Sequence, residues 1–222
     1  MATMQNDRLV WDLMQTKARK DGDLLYAFDQ DRPVETRGIP VPENGYCVGL
    51  TLRWIALRYA GEDYDYDAEK KEGLKADYEA LASQYRSRST PGGPFRRAEA
   101  VLRDFHIGTN PGLYAQFSHH ASADMLMKAI TRDGLYYIEM RGVRPDGEEH
   151  AHALAIQREG HGAVYHLFDS NEGHFVIKGA AHFKKFLAWF LNAVPFQGKH
   201  MTPYGKTYLK ETWIVGVNPP VN

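Results

Sequence analysis

Apolar residues change their spacing near residue 134: helical periods come before it and short alternating runs after it. Leu9, Val10, Leu13 and Met14 form a helical stripe behind Asn6 or Asp7 as cap, with Gly22 past the end, predicting a first amphipathic helix. Residues 28–46 lack periodicity and are rich in Pro and Gly, which predicts a long irregular loop of the kind that often carries function. The run 47–59 then places Leu50, Trp54, Ile55 and Leu57 at mostly helical spacing without proline, predicting a buried helix that starts at or next to Cys47. A more polar helix is expected over 67–85 with Leu74, Tyr78 and Leu81 inward, a break over 87–94, and short helices over 95–105 and 122–132.

Beyond residue 134 the runs 135–141, 150–158, 163–169 and 174–178 are β-prone. Pro145-Asp146-Gly147, Gly160-His161-Gly162 and Asn171-Glu172-Gly173 separate them, so four hairpin-linked strands are expected. An apolar helix over 181–194 and a strand over 208–217 close the chain. Helices followed by an antiparallel sheet make an α+β domain spanning 1–222, with a helical part over about 1–133 packed on a sheet part over about 134–222.

Charge narrows the function classes. The 222 residues carry 27 Lys and Arg against 28 Asp and Glu, a formal charge of −1 without a basic cluster, so neither a nucleic-acid face nor a polybasic membrane module is expected. Residues 1–8 hold no signal-peptide core, and the apolar span 186–196 is broken by Asn192 and Pro195, so no transmembrane segment is expected either. A single cysteine, Cys47, excludes an intrachain disulfide.

That cysteine is the first candidate for chemistry. A thiol at a helix N-terminus meets unpaired N–H groups and the positive end of the macrodipole, which favour the attacking thiolate form. The competing reading is packing, because free cysteine is among the most buried residue types. His152 and Asp169 shift the balance toward chemistry. A turn centred on Gly160-His161 pairs Glu159 with Gly162 and brings His152 directly opposite Asp169, on the face of Leu154, Ile156, Tyr165 and Leu167. Opposed Cβ atoms lie about 4.5–5.5 Å apart, so the carboxylate can hold one imidazole nitrogen and leave the other for a thiol. Taken singly, His152 reads as a polar edge residue and Asp169 as a turn former; together with Cys47 they do not.

These residues resemble a family. Gly45-Tyr46-Cys47-Val48-Gly49-Leu50-Thr51-Leu52-Arg53-Trp54 is similar to the nucleophile motif of the YopT/AvrPphB-type cysteine proteases, bacterial effectors with a papain-like fold. His152-Ala153-Leu154 resembles their histidine station, and Phe168-Asp169-Ser170-Asn171-Glu172-Gly173-His174-Phe175 their aspartate station, where the usual form is Phe-Asp-Pro-Asn before a glycine and an aromatic residue. Cys, His and Asp occur in the family's order. The resemblance implies a papain-like thiol protease with a Cys47, His152, Asp169 triad, no cofactor, a host or target-cell protein as substrate, and a virulence effector or toxin delivered to the cytosol of a target cell.

Three departures stand out. The family uses an amide side chain upstream of the cysteine in its oxyanion hole, and the nearest candidate here is Asn44, with Gln30 far behind. Ser170 stands where the proline is usual. Met1-Ala2 has no glycine for myristoylation, so lipid anchoring of that type is not expected.

Other constellations are weaker. His150-Ala151-His152 could ligate a metal with Asp169, but no HExxH or cysteine pair supports it. His119-His120 reads as a loop, and Gly92-Gly93 and Gly160-His161-Gly162 as turns rather than phosphate cradles. Two rival functions stay open: the same thiol used for deamidation or transglutamination of a host protein, and an interaction module whose Cys-His-Asp set is vestigial.

Overall fold

The computed structural model describes residues 16–26, 47–62, 80, 82–118, 121–143, 149–193 and 208–218. Helices α1 (16–21), α2 (Cys47–Tyr59), α3 (80 and 82–89), α4 (Pro94–Asp104), α5 (Ala123–Ala129) and α6 (Ala180–Ala193) accompany seven strands. The strands are β1 (Leu24–Tyr26), β2 (Thr109–Phe117), β3 (Gly134–Val143), β4 (Glu149–Glu159), β5 (Val164–Asp169), β6 (Gly173–Lys178) and β7 (Tyr208–Val217). They form one antiparallel sheet in the order β1-β6-β5-β4-β3-β7-β2, which puts β4 at its centre.

The alternation of β4 explains the layering. Leu154 and Ile156 point into a core closed by Phe183, Phe186, Leu187 and Phe190 of α6 and Leu126 of α5. Ala153 and Ala155 point the other way, into a core formed with Leu50, Trp54 and Ile55 of α2 and Val101 and Leu102 of α4. Because those two strand residues are small, α2 lies close to the sheet: Thr51 Oγ1 donates to Ala153 O at 3.2 Å. Further along, Arg58 Nε donates to Gln157 Oε1 at 2.7 Å, and the guanidinium pairs with Glu159 at 3.2 Å. These contacts run α2 along β4 and bring its first residue to the His152 end of the strand. A helix apolar on most of its sides belongs in such an interior position.

The structure departs from the expected elements at several points. The two edge strands, β1 and β2, come from residues before 133, so the helical part also contributes to the sheet. β1 is only three residues long, and β2 contains Pro111 and Gly112, which fall where its register with β7 breaks between Asn110 and Tyr114. Proline and glycine in a strand mark an edge or a bulge, and they hide this one from a pattern search. α3 continues to residue 89, beyond the expected break at Ser87. α5 starts where Ser122 caps it, its side chain accepting from Met125 N, but stops at Ala129. Residues 28–46, the start of the first helix, Leu74, Tyr78, Leu81 and His119-His120 lie outside the described residues.

The hairpin register is the correction that bears on chemistry. The tight turn at Gly160-His161 is present, with Gly162 N donating to Glu159 O at 3.0 Å. Ala163 N also donates to Gly160 O, so Gly162 and Ala163 remain in the loop and the ladder begins at Glu159 with Val164. Leu154, not His152, is therefore the partner of Asp169. The loop grew by an even number of residues, so the face of each strand residue is preserved.

Candidate active site

Cys47 is the first residue of α2, and its thiol is free and buried. Its N-terminal place follows from the long apolar run that begins there, while residues 44–46, Asn44 included, lie outside the described residues. α2 has no acidic residue in its own first turn to offset the positive end of its dipole.

His152 lies on β4 two residues past the last rung shared with β5. From there its Nε2–H donates to Asp169 Oδ2 at 2.7 Å, with both side chains buried. The other carboxylate oxygen, Oδ1, accepts from Asn171 N at 2.8 Å, and Asp169 O accepts from Glu172 N at 3.2 Å. Asp169 thus builds its turn and holds the imidazole at the same time. Ser170, Asn171 and Glu172 are also buried, which is unusual for a turn and marks it as part of the interior. Gly173 closes the turn with φ +133, a conformation that side-chain-bearing residues rarely adopt.

The charge state of His152 follows from this environment. Burial alone lowers an imidazole's proton affinity, but the charge and hydrogen bond of Asp169, joined by the hydrogen bond and charge of Cys47, outweigh it and raise His152 to about 10. The ring is therefore held as an imidazolium between a carboxylate and the sulfur. With Nε2 committed to Asp169, Nδ1 is the nitrogen left for Cys47. The three side chains come from opposite sides of the sheet. Cys47 belongs to the α2 core with Ala153, while Asp169 shares the strand face of the α6-side residues Leu167 and Tyr165.

Two buried groups near the site were missed in the sequence. Glu139 accepts the Tyr137 hydroxyl at 2.8 Å, an Arg97 N–H at 2.9 Å and Arg141 Nε–H at 2.8 Å. Burial raises the Glu139 carboxyl, and Tyr137 is pushed well above the usual phenol range by burial, by Glu139 and by the charge of Cys47. An acid on the inward face of a strand, at alternate positions with Leu135 and Tyr137, was the available signal. The second group is His174, whose ring meets Trp54 edge-on and hydrogen-bonds His166 at 3.0 Å. Burial, then the charges of His166 and Arg58, lower it to about 3, so it is neutral at pH 7. Trp54 also stacks on Phe168, joining α2 to the residue before Asp169.

Among the described residues no cluster of three or more His, Cys, Asp or Glu could hold a metal ion. No described helix is long and apolar enough to cross a membrane. A sequence model of the family Peptidase C58, described as Yersinia/Haemophilus virulence surface antigen, matches residues 14–202. No curated protein matches the chain. Among solved structures it is similar to the Pseudomonas avirulence protein AvrPphB, at 14% identity and a TM-score of 0.55, over 79% of this chain and 93% of that one. The shared architecture is the papain-like α+β fold.

Proposed function

This chain belongs to the Yersinia/Haemophilus virulence surface antigen family of cysteine peptidases, and on that premise we propose that it is a cysteine endopeptidase with a Cys47, His152, Asp169 triad in one catalytic domain. The thiolate of Cys47 attacks the scissile carbonyl carbon and forms a C–S bond. The developing oxyanion is held by the Cys47 N–H and by Asn44. The His152 imidazolium gives its proton to the leaving amine, and the C–N bond breaks to leave a thioester. His152, now neutral, takes a proton from water, which hydrolyses the thioester and restores the thiolate. Asp169 fixes the ring orientation and stabilises the imidazolium throughout.

The observation that carries this reading is the 2.7 Å bond from His152 to Asp169, with the same imidazole hydrogen-bonded to a thiol at a helix N-terminus. The substrate class is a protein of a host or target cell, and the protein acts as a bacterial effector in the cytosol of that cell. The family's virulence character supports both readings.

The test is a comparison of new protein N-termini in a eukaryotic cell lysate treated with the wild type or with Cys47→Ala. New termini confined to the wild type support an endopeptidase. A mass gain of about one dalton on glutamine-containing peptides, or crosslinks, without new termini would reassign the thiol to deamidation or transglutamination. Identical lysates would favour a non-catalytic module.

A further inference from the structure

The first turn of α2 has a partner that its own segment does not supply. Cys47, Val48 and Gly49 are its first three residues, and N–H groups at these positions have no acceptor inside the helix. The Gly49 N–H donates instead to Oε1 of Gln84 on α3 at 3.0 Å, in a buried contact. The approach depends on the missing side chain. A Cβ on Gly49 would lie 1.8 Å from Ala80 O and 3.1 Å from Gln84 N. α3 turns Ala80, Ser83, Gln84 and Ser87 to the interior, so its backbone presses against the start of the nucleophile helix.

The chemical identity of this cap is informative. Helices commonly satisfy first-turn amides with acidic side chains, because negative charge complements the N-terminal dipole. α2 has no acidic residue in its first turn, and its Gly49 N–H goes to an uncharged amide oxygen from another helix. The negative charge to be favoured at this terminus is the sulfur's own. A carboxylate in the place of Gln84 would take up the same dipole and repel a thiolate at Cys47, two residues before the capped Gly49, whereas an amide oxygen satisfies the N–H without either effect.

We propose that Gln84 is a positioning residue for Cys47: it ties down the first turn of α2 through Gly49 with an uncharged acceptor that does not compete with the thiolate for the helix dipole, on the reading that Cys47 is the nucleophile. Gln84 touches neither substrate nor sulfur in this role. It acts through the helix that carries the thiol.

Iodoacetamide alkylation of Cys47 across about pH 5 to pH 10 tests this without a known substrate, on the wild type, Gln84→Glu and Gln84→Met. Gln84→Glu keeps an acceptor and adds charge, so its rate near pH 6 to 7 is expected to fall about fivefold and to return to the wild-type rate near pH 10. Gln84→Met keeps the volume and loses the acceptor, so it is expected to react about threefold to tenfold more slowly at every pH. A Gln84→Glu profile that superimposes on the wild type overturns the proposal. So does a uniform loss in that variant, which would make Gln84 a structural cap only, or a wild-type rate in Gln84→Met. If the wild-type thiol itself reacts only after unfolding, the nucleophile reading fails and this proposal with it; a fast wild-type thiol with indifferent Gln84 variants sinks the proposal alone.

Discussion

His152 and Asp169 meet diagonally, through a 2.7 Å hydrogen bond that begins two residues beyond the last rung of the β4–β5 ladder. Asp169 is opposite Leu154 in register, so the imidazole leans back along the strand to reach the carboxylate. Diagonal neighbours on one face of an antiparallel pair are about 7–8 Å apart at the backbone, a span that His and Asp side chains can close. The carboxylate is already locked by Asn171 N, so the acceptor of the pair is fixed in place.

Reactivity of the thiol is the most direct consequence. With His152 held as an imidazolium up to about pH 10, iodoacetamide is expected to alkylate native Cys47 near pH 6 faster than it alkylates an isolated thiol at the same pH. His152→Ala is expected to abolish the effect and any proteolysis while leaving the circular dichroism spectrum unchanged. A thiol that reacts only in denaturant would mark a structural cysteine.

Asp169→Asn keeps the shape of the turn and removes the charge that holds the imidazolium. Burial then acts on His152 unopposed by that charge, and its proton affinity falls. Peptidase activity is expected to drop by about two to four orders of magnitude, with alkylation near pH 6 slowed in parallel. An active Asp169→Asn enzyme would remove the carboxylate from the mechanism.

Gly49→Ala is expected to be costly although alanine is the better helix former. Its Cβ would sit 1.8 Å from the Ala80 carbonyl oxygen, and the obstacle is backbone that cannot rotate away. A loss of ~2 kcal/mol or more, read from urea unfolding, follows from forcing the two helices apart. A variant as stable as the wild type would mean that α3 packs less tightly on α2 than the structure has it.

Stability should depend on pH through two histidines of opposite sense. His174 is lowered to about 3 in the fold, against an ordinary value of about 6.5 in the unfolded chain, so between these limits the unfolded state binds the extra proton. Its contribution is present above about pH 6.5 and is lost as pH falls toward 3. His152, raised to about 10, contributes fully below about pH 6.5 and loses that contribution as pH rises through 10. Urea midpoints measured against pH should therefore fall on both sides of neutrality, and His174→Phe, which keeps a ring against Trp54, should flatten the acid side. An unchanged acid slope in that variant would assign the acid sensitivity to other groups.

Much of this molecule could be read from local pattern. Cys47 opens α2 because a proline-free apolar run of 13 residues begins there, and helix formation over such a run depends on neighbours three and four apart. The strands β3 to β6 and the shared face of His152 and Asp169 follow from alternation, which depends only on whether a loop adds an even or odd number of residues. Other features depend on contacts between distant segments. The two-residue shift of the hairpin arises in a loop that neither strand dictates, and the short edge strands β1 and β2 exist because β6 and β7 offer them partners. The bond of Arg97 to buried Glu139 and the Gln84 cap on Gly49 join residues 42 and 35 apart in the chain. The meeting of Cys47 with His152 is of the same kind: strand and helix periods place each residue on its own element, but only the packing of α2 along Ala153 and Ala155 brings the thiol from one side of the sheet to an imidazole held by a carboxylate on the other.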